Sequence, residues 1–349
     1  MPPGLDEHFP DDAIVEPDPR PKDTRERELG DFTTHHRVLG LVAVAAPLGG
    51  LVALFALGLL DLIGLITHLV YTGTLSTTLA PPDVSVLGAA SVLVPVVGGL
   101  IVGLMAKVGS ERIRGHGIPE AMETILMRGS RMEPRLAVLK PISSAVSIGT
   151  GGPFGAEGPI IVTGGAVGSI TGQLLHLTAA ERRCLLVAGA AAGMTAVFGT
   201  PVAAVLLAVE LLLFEWRPRS MVPVAVAACS AQAAREGLAH AGLLRATPLF
   251  PMSVHGALPF SVTLGAVLVG VACGGLAWLM TRCVYGAEDM FGRLRLHWVW
   301  WPALGGLVVG LGGLIDSNAL GVGYNTIGAE LAGRLALGSL AALLVVKLV

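Results

Sequence analysis

Charged residues are scarce in this sequence. Asp, Glu, Lys and Arg make up 14% of its 349 residues, whereas a soluble domain contains about 25%. Hydrophobic residues make up 53% of the chain, and its mean hydropathy is +0.73. The shortage of charge excludes an ordinary soluble domain and predicts an integral membrane protein.

Motifs of catalysis, redox chemistry and nucleic-acid binding are also missing. The four cysteines are widely spaced and form no Cys-x-x-Cys pair, which argues against a metal or redox site. There is no His-Glu-x-x-His pair, Gly-x-Ser-x-Gly elbow or P-loop, so a membrane-embedded enzyme is only a distant alternative. The net charge of −2, without a clustered Lys/Arg stripe, excludes a nucleic-acid partner. We therefore expect no catalytic residue, metal or cofactor.

The beginning of the chain predicts a cytosolic tail followed by two membrane spans. Residues 1–37 are rich in Pro, Asp and Glu and lack the apolar core of a signal peptide, which is typical of a disordered tail. Apolar spans run from Val38 to about Val70 and from about Val86 to Lys107. Basic residues precede the first span and follow the second, whereas the loop between them carries Asp83 and no Lys or Arg. This asymmetry places the N-terminus inside.

Later apolar segments are interrupted by short breaks that contain Gly and Pro. The breaks are Gly117-Ile118-Pro119, Glu157-Gly158-Pro159 and Gly199-Thr200-Pro201. Pro is favoured in the first helical turn, so each break predicts a helix that begins within the membrane. Such backbone must be buried in protein or line an aqueous cavity. Because helix N-termini carry free N–H donors and partial positive charge, their convergence would form an anion site. The sequence therefore predicts anion transport.

Glu157 is the one carboxylate in the Gly- and Pro-rich stretch from Gly149 to Pro159. A charge in a membrane-embedded segment costs several kcal/mol unless it lines a polar cavity, and is therefore a functional candidate. Elsewhere, three Gly-x-x-x-Gly pairs predict closely packed helices. They are Gly99 with Gly103, Gly189 with Gly193, and Gly306 with Gly310.

Several motifs resemble those of the CLC family of chloride channels and chloride/proton antiporters. Gly115-His116-Gly117-Ile118-Pro119-Glu120 is similar to the family's Gly-Ser-Gly-Ile-Pro element, and Gly155-Ala156-Glu157-Gly158-Pro159 to its Gly-Lys/Arg-Glu-Gly-Pro element. Supporting similarity continues through Phe198-Gly199-Thr200-Pro201 and Gly321-Val322-Gly323-Tyr324-Asn325. The resemblance implies an all-α integral membrane protein with tilted and broken transmembrane helices in two inverted-topology halves.

The resemblance also implies a division of the chain. Residues 1–37 would form the tail, 38–237 the first membrane half, 238–258 a connector and 259–349 the start of the second half. The family's second filter element, Gly-x-Phe-x-Pro, and its late tyrosine find no counterpart before Val349. We therefore expect the second half to be incomplete and the chain to be truncated.

The resemblance assigns roles to residues in both motifs. Glu157 matches the gating glutamate, whose carboxylate occupies the external anion site when the halide leaves and exchanges protons with the outside. His116 stands where serine is commoner: either its imidazole binds the anion, or it points away and backbone N–H groups alone make the contact. The residues expected to bind the anion are His116, Gly117, Ile118, Gly155, Ala156 and Gly158.

Three further positions concern the electrostatics of the pathway and proton coupling. Lys140 matches a lysine thought to bias the pore towards anions, unless it snorkels from a helix end. Glu210 is interpreted as a structural or pathway-flanking charge, and Leu211 follows it where antiporters of the family carry a proton-transfer glutamate. Glu215 could substitute from the same helix face as Leu211, or it lies at a solvated helix end.

These features predict passive or weakly coupled chloride permeation through a pathway of the voltage-gated chloride channel type, with Glu157 as a protonatable gate. Chloride/proton antiport is the alternative. The expected partners are chloride or other small anions, protons in the coupled case, and the lipid bilayer of a plasma or inner membrane. Family resemblance adds a homodimer with residues 202–234 at its interface.

Overall fold

The computed structural model describes residues 36–115, 117–243, 250 and 260–348, and this part of the chain is helical without β-strands. The predicted all-α fold is therefore confirmed. The α-helices of the described chain are α1 His36–Tyr71, α2 Leu93–Val108, α3 Ile118–Met127, α4 Leu136–Gly149, α5 Glu157–Leu174, α6 Ala179–Phe198, α7 Pro201–Ala208, α8 Pro218–His240, α9 Phe260–Gly292, α10 Trp301–Ile315, α11 Tyr324–Leu331 and α12 Leu337–Leu348.

Four helical segments of the described chain are long and apolar enough to cross a membrane. They are His36–Tyr71, Gly88–Val108, Phe260–Gly292 and Trp298–Ile315. The first two coincide with the two spans predicted from the sequence. The segment Gly88–Val108 joins a short 3₁₀ helix, Gly88–Val92, to α2.

Glycine-mediated packing of α5 against α6 forms the centre of the molecule. A methyl group on Gly164 would strike the carbonyl oxygen of Gly189, and one on Gly189 would strike the carbonyl oxygen of Gly164. The backbones of the two helices thus approach more closely than any side chain permits. Helices α1 and α8 pack around this pair, so α6 is almost wholly buried.

The three predicted Gly-x-x-x-Gly pairs all lie at close helix crossings. Gly189 and Gly193 of α6 face the backbone of α5. Gly99 and Gly103 of α2 face backbone at the start of the α10 segment, while Gly306 of α10 faces the carbonyl of Pro95. The packing interpretation of these pairs is confirmed.

The three predicted breaks are also confirmed, because helices begin at Ile118, Glu157 and Pro201. Before the last break, α6 ends at Gly199 in the left-handed conformation, with φ of +70°. Buried Arg235 of α8 donates its Nη1 to the carbonyl oxygens of Ala196 and Val197, at 2.6 and 3.0 Å. A cation thus satisfies the carbonyl end of α6 and fixes the position of the break.

Some predictions concern residues outside the described ranges, and one predicted boundary differs from the structure. The tail at residues 1–35, His116 and most of the connector are outside the described residues. Helix α8 continues to His240, three residues beyond the end predicted for the first half at residue 237. The division into two inverted halves stays a prediction.

Helix α9 differs from the rest because none of its residues is buried by the described part of the chain. Its sequence is strongly apolar, with a mean hydropathy of 2.0 over its most apolar window. Before Arg282 the helix therefore presents an apolar surface on every side, which is a composition suited to lipid or to further protein.

Candidate anion pathway

The starts of α3 and α5 meet at the two motifs that carry the family resemblance. Gly117 precedes α3 with φ of +109°, a conformation that side chains rarely adopt. A methyl group there would also lie 2.7 Å from the carbonyl carbon of Gly158 in the first turn of α5. Glycine at this position allows the starts of α3 and α5 to come into contact. Such contact is what the predicted convergence of helix N-termini on one anion site requires.

One of the backbone N–H groups expected to bind the anion already donates a hydrogen bond to a side chain. The Gly117 N–H donates to Oε2 of Glu120 at 2.6 Å, so the carboxylate caps the start of α3. An anion could use this N–H only by displacing Glu120. Sequence reasoning treated Glu120 as part of a motif and missed this competition.

Glu157 is the first residue of α5, and its half-buried carboxylate folds back over Gly155. A methyl group on Gly155 would collide with Oε2 of Glu157, so a side chain at residue 155 would expel the carboxylate from this place. The other carboxylate oxygen, Oε1, lies 3.4 Å from the hydroxyl of Tyr324. The carboxylate is therefore held between its own loop and the start of α11.

One cavity is lined by Glu157 and a second by its neighbour Tyr324. The larger, of about 580 Å³, is lined by Glu157 and by the C-terminal half of α2. The smaller, of about 210 Å³, is lined by Tyr324 and by Leu79 to Pro82 from the loop before α2. Ile148 lines both cavities. Because each partner of the Glu157–Tyr324 contact lines a different cavity, the contact lies at the boundary between them.

Lys140 of α4 is buried beside the larger cavity. Its side chain is 2% exposed and lines the larger cavity. Its Nζ donates to the carbonyl oxygens of Ile113 and Gly115, both at 2.8 Å. The alternative of a lysine that snorkels from a helix end is wrong, because the ammonium group is inside the protein and bonded to the loop that leads into α3.

A second cation, missed by sequence reasoning, faces the same cavity. Arg114 lines it, with its guanidinium carbon 4.8 Å from the ring centre of Trp298. A cation over an indole face is attracted by the ring quadrupole. Lys140 and Arg114 together give the cavity beside Glu157 a positive electrostatic environment.

The remaining predicted anion-binding residues divide into two groups. Ile118, Gly155 and Gly158 line the larger cavity, whereas Gly117 and Ala156 are buried. The role of His116 is untested because that residue is not among those described.

The region around Glu210 gives no internal proton partner. Glu210 is exposed, in a π-helical turn from Val209 to Leu213, and does not line either cavity. Phe214 follows with φ of +54°, which ends the helix. The assumption that Glu215 shares a helix face with Leu211 is therefore wrong.

Ion pairs and a hydrogen bond already occupy the Glu215 carboxylate. Arg183 and Arg217 lie 3.2 and 3.5 Å from its oxygens, and the Ser220 hydroxyl donates to it at 2.5 Å. The carboxylate is therefore already engaged by two guanidinium groups and one hydroxyl. Glu215 thus lies beyond the helix end but is not freely solvated, since only 15% of its side chain is exposed, and its role in proton transfer stays a prediction.

Tyr324 is the other functional candidate that sequence reasoning missed. It was noted only as part of the Gly321-Val322-Gly323-Tyr324-Asn325 similarity. The available signal was a phenol placed directly after Gly321-Val322-Gly323, in a chain with three tyrosines. Its partner lies 167 positions earlier, so no local pattern could reveal the contact.

Comparisons with known proteins show to which family the chain is similar. Residues 98–349 match the family described as "Voltage gated chloride channel". The voltage-gated ClC-type chloride channel ClcB of Citrobacter koseri is 29% identical over 262 residues, which cover 73% of this chain and 60% of that protein. The H(+)/Cl(−) exchange transporter ClcA of Cronobacter sakazakii is 27% identical over 270 residues, covering 70% and 55%. The chain thus spans 55 to 60% of the length of these curated relatives.

A solved structure shows the same fold. The crystal structure of a slow cyanobacterial Cl⁻/H⁺ antiporter superposes with a TM-score of 0.71 at 19% sequence identity, over 90% of this chain and 73% of that one. The predicted arrangement of broken and tilted helices is therefore confirmed at the level of the fold.

Proposed function

This chain belongs to the CLC family of voltage-gated chloride channels, and on that premise we propose that it carries chloride or another small anion across a lipid bilayer. Its relatives include one named as a chloride channel and one named as an exchange transporter. Neither name supports the enzyme alternative. The cations and helix N-termini around the larger cavity suit an anionic substrate.

The observation that carries the proposal is the position of Glu157 at the boundary between two cavities. With the N-terminus inside, the smaller cavity beside the loop before α2 faces outwards, and the larger cavity at the other end of α2 faces inwards. An ionised carboxylate beside a helix N-terminus resembles a bound halide in its charge and in the donors it uses. Protonation removes that charge and frees the site for an anion.

We propose a channel-like or weakly coupled mechanism rather than stoichiometric exchange. Leu211 cannot carry a proton, and Glu210 and Glu215 do not replace the missing inner partner in the geometry described above. Glu157 can still exchange protons with the smaller cavity. Chloride/proton antiport is the second candidate, favoured by the name of the exchange-transporter relative.

Removal of the Glu157 carboxylate tests the gate. In liposomes that contain the full-length protein, chloride efflux should increase as the pH falls, because protonation releases the carboxylate from the anion site. Glu157→Ala should keep chloride flux but make it independent of pH. The measurement is the rate of chloride efflux, followed with a chloride electrode across a pH series.

Glu123→Ala is the matched control for this experiment. Glu123 is an exposed carboxylate of α3 that pairs with Arg128 at 2.9 Å, away from both cavities. Its removal should leave the pH profile unchanged. Persistence of the wild-type pH profile in Glu157→Ala would refute the gating role.

The proposed assembly follows the family resemblance. We propose a homodimer with one pathway in each subunit and the region from Val202 to Ala234 at the interface. The N-terminus would be cytosolic, as the distribution of Lys and Arg around the first two spans indicates.

A further inference from the structure

We propose that Tyr324 is a positioning residue for the gate: its hydroxyl donates a hydrogen bond to the ionised carboxylate of Glu157 and holds it at the boundary of the smaller cavity. This inference rests on the proposed gating function of Glu157. The contact joins the Tyr324 hydroxyl to Oε1 of Glu157 at 3.4 Å. That distance is longer than the roughly 2.5 to 3.0 Å of a typical O–H···O hydrogen bond.

The ring of Tyr324 is held in place from two sides. Phe198, at the end of α6, meets it edge-on with ring centres 6.1 Å apart, and Phe250 does so at 6.2 Å. Edge-to-face contacts of this kind favour one orientation of the ring. The hydroxyl therefore points at the carboxylate because the aromatic packing places it there.

The backbone also fixes Tyr324 relative to Glu157. The Gly321 N–H donates to the carbonyl oxygen of Gly151 at 3.1 Å, which joins the loop before α11 to the loop before α5. Gly323, with φ of +79°, then turns the chain into α11. Two independent constraints thus place the phenol and the carboxylate opposite each other.

Other charged or titratable groups near α5 make different contacts. Lys140 and Arg114 face Glu157 across the larger cavity, and both are cationic. Glu120 accepts from the Gly117 N–H, and the Tyr71 hydroxyl donates to the Thr150 carbonyl oxygen at 3.0 Å. The helices packed against α5 are α1, α3, α4 and α6, and their remaining charged or titratable groups are His36, Arg37, Asp61, His68, Glu123, Glu181, Arg182, Arg183 and Cys184.

The sign of the effect follows from the direction of hydrogen-bond donation. A donor to an ionised carboxylate stabilises the charged form, so its removal lets the carboxylate bind a proton at higher pH. Tyr324→Phe keeps the ring between its two aromatic neighbours and removes only the hydroxyl. The midpoint of the flux–pH curve should therefore move upwards by about one pH unit, the size expected for one hydrogen bond to a charged group.

The experiment compares Tyr324→Phe with Tyr71→Phe in liposomes containing the full-length protein, with chloride efflux measured across a pH series. Both changes remove one buried or partly buried phenol hydroxyl, but only Tyr324 contacts Glu157. The expected result is an upward shift for Tyr324→Phe and no shift for Tyr71→Phe. An unchanged midpoint in Tyr324→Phe would overturn the inference.

A Glu157→Ala background separates the inference from the function on which it rests. If Glu157→Ala removes the pH dependence and Tyr324→Phe fails to move the wild-type midpoint, the gate stands and only the positioning role is overturned. If Glu157→Ala retains the pH dependence, the gate itself is wrong and the inference falls with it. A shift by Tyr324→Phe that persists in Glu157→Ala would also overturn the inference, because the hydroxyl would then act elsewhere.

A second variant should shift the midpoint of the flux–pH curve in the opposite direction. This test does not depend on whether Tyr324→Phe folds. In a Tyr71→Phe, Tyr285→Phe protein, Tyr324 is the remaining tyrosine, and 3-fluorotyrosine can be incorporated there alone. Its more acidic hydroxyl is a stronger donor, so the midpoint should move to lower pH than in the same protein with ordinary tyrosine. An upward shift or no shift would contradict the proposed hydrogen bond.

Discussion

Lys140 carries its positive charge inside the helical bundle, where two backbone carbonyls are its hydrogen-bond partners. In the described part of the chain it forms no ion pair within 4.0 Å, so its charge is not cancelled by direct contact with a carboxylate. At the low effective dielectric of a protein interior, such a charge acts over many ångströms. The residue holds the loop before α3, and we propose that it also makes the larger cavity attractive to anions.

Loss of this ammonium group should reduce chloride transport. Lys140→Met keeps the length and apolar stem of the side chain but removes the charge and leaves the carbonyls of Ile113 and Gly115 without their donor. We expect chloride efflux from liposomes to decrease roughly tenfold, equivalent to about 1.4 kcal/mol.

Lys107→Met is the control for this prediction. Lys107 is an exposed lysine in the last turn of α2. The same chemical change there should leave chloride efflux within about twofold of wild type. Equal efflux in the two variants would show that the buried charge does not influence the pathway.

Individual residues were predictable to different degrees. Glu157 could be identified because it is the one carboxylate in a Gly- and Pro-rich apolar stretch, and Lys140 because it matches a lysine of the family. The structure places both beside one cavity. Tyr324 and the competition of Glu120 for the Gly117 N–H could not be identified, because each depends on which way a side chain turns after folding. The break between Leu211 and Glu215 was not predictable in detail, because the helix ends at left-handed Phe214, which is neither Gly nor Pro.

At the scale of secondary structure, the contact between α5 and α6 depends on the absence of a side chain at glycine. Gly164 and Gly189 face each other so closely that each excludes a β-carbon on its partner. The sequence pair Gly189-x-x-x-Gly193 predicted a close crossing, and Gly-Pro chemistry predicted where three helices begin. Which helix packs against each Gly-x-x-x-Gly pair was not predictable, because the spacing of glycines in one helix does not identify the neighbouring helix.

Gly189→Ala should destabilise the protein, because the new methyl group strikes the Gly164 carbonyl and forces α5 and α6 apart. Overpacking of this kind costs about 1 to 3 kcal/mol. We expect a lower midpoint of thermal unfolding in detergent, measured by circular dichroism.

Gly58→Ala provides the matched comparison. Gly58 lies within α1, and a methyl group there would meet no atom within 4 Å. Alanine is favoured over glycine in a helix interior by about 0.5 to 1 kcal/mol, so this variant should unfold at the same or a higher temperature. A similar loss of stability in both variants would mean that the crossing is not what requires glycine.

At the scale of the whole molecule, composition predicted the membrane setting and motif resemblance predicted the fold. The surroundings of α9 were not predictable, because an apolar helix has the same composition whether it faces lipid or protein. In the structure α9 has no buried residue within the described chain. The match to residues 98–349 of this chain covers α9 as well as the motif region, so the helix is part of the family fold.

Proton coupling is a property of the complete pathway, and the reversal potential measures it. With the full-length protein in a planar bilayer under a chloride gradient, a channel-like pathway should reverse at a voltage set by chloride alone. An added pH gradient should leave that voltage unchanged, because Leu211 cannot relay a proton. A reversal potential that moves with the pH gradient would instead establish antiport.

The boundary between the two cavities has an electrical consequence. If both cavities fill with electrolyte and open to opposite sides of the membrane, each takes the potential of the solution it joins, and the membrane voltage falls across the layer of protein between them. Glu157 lies in that layer. A proton that reaches it from one side crosses part of the field, and a full crossing by one charge is worth about 2.3 kcal/mol per 100 mV. Protonation of one carboxylate could then respond to voltage without a mobile charged helix.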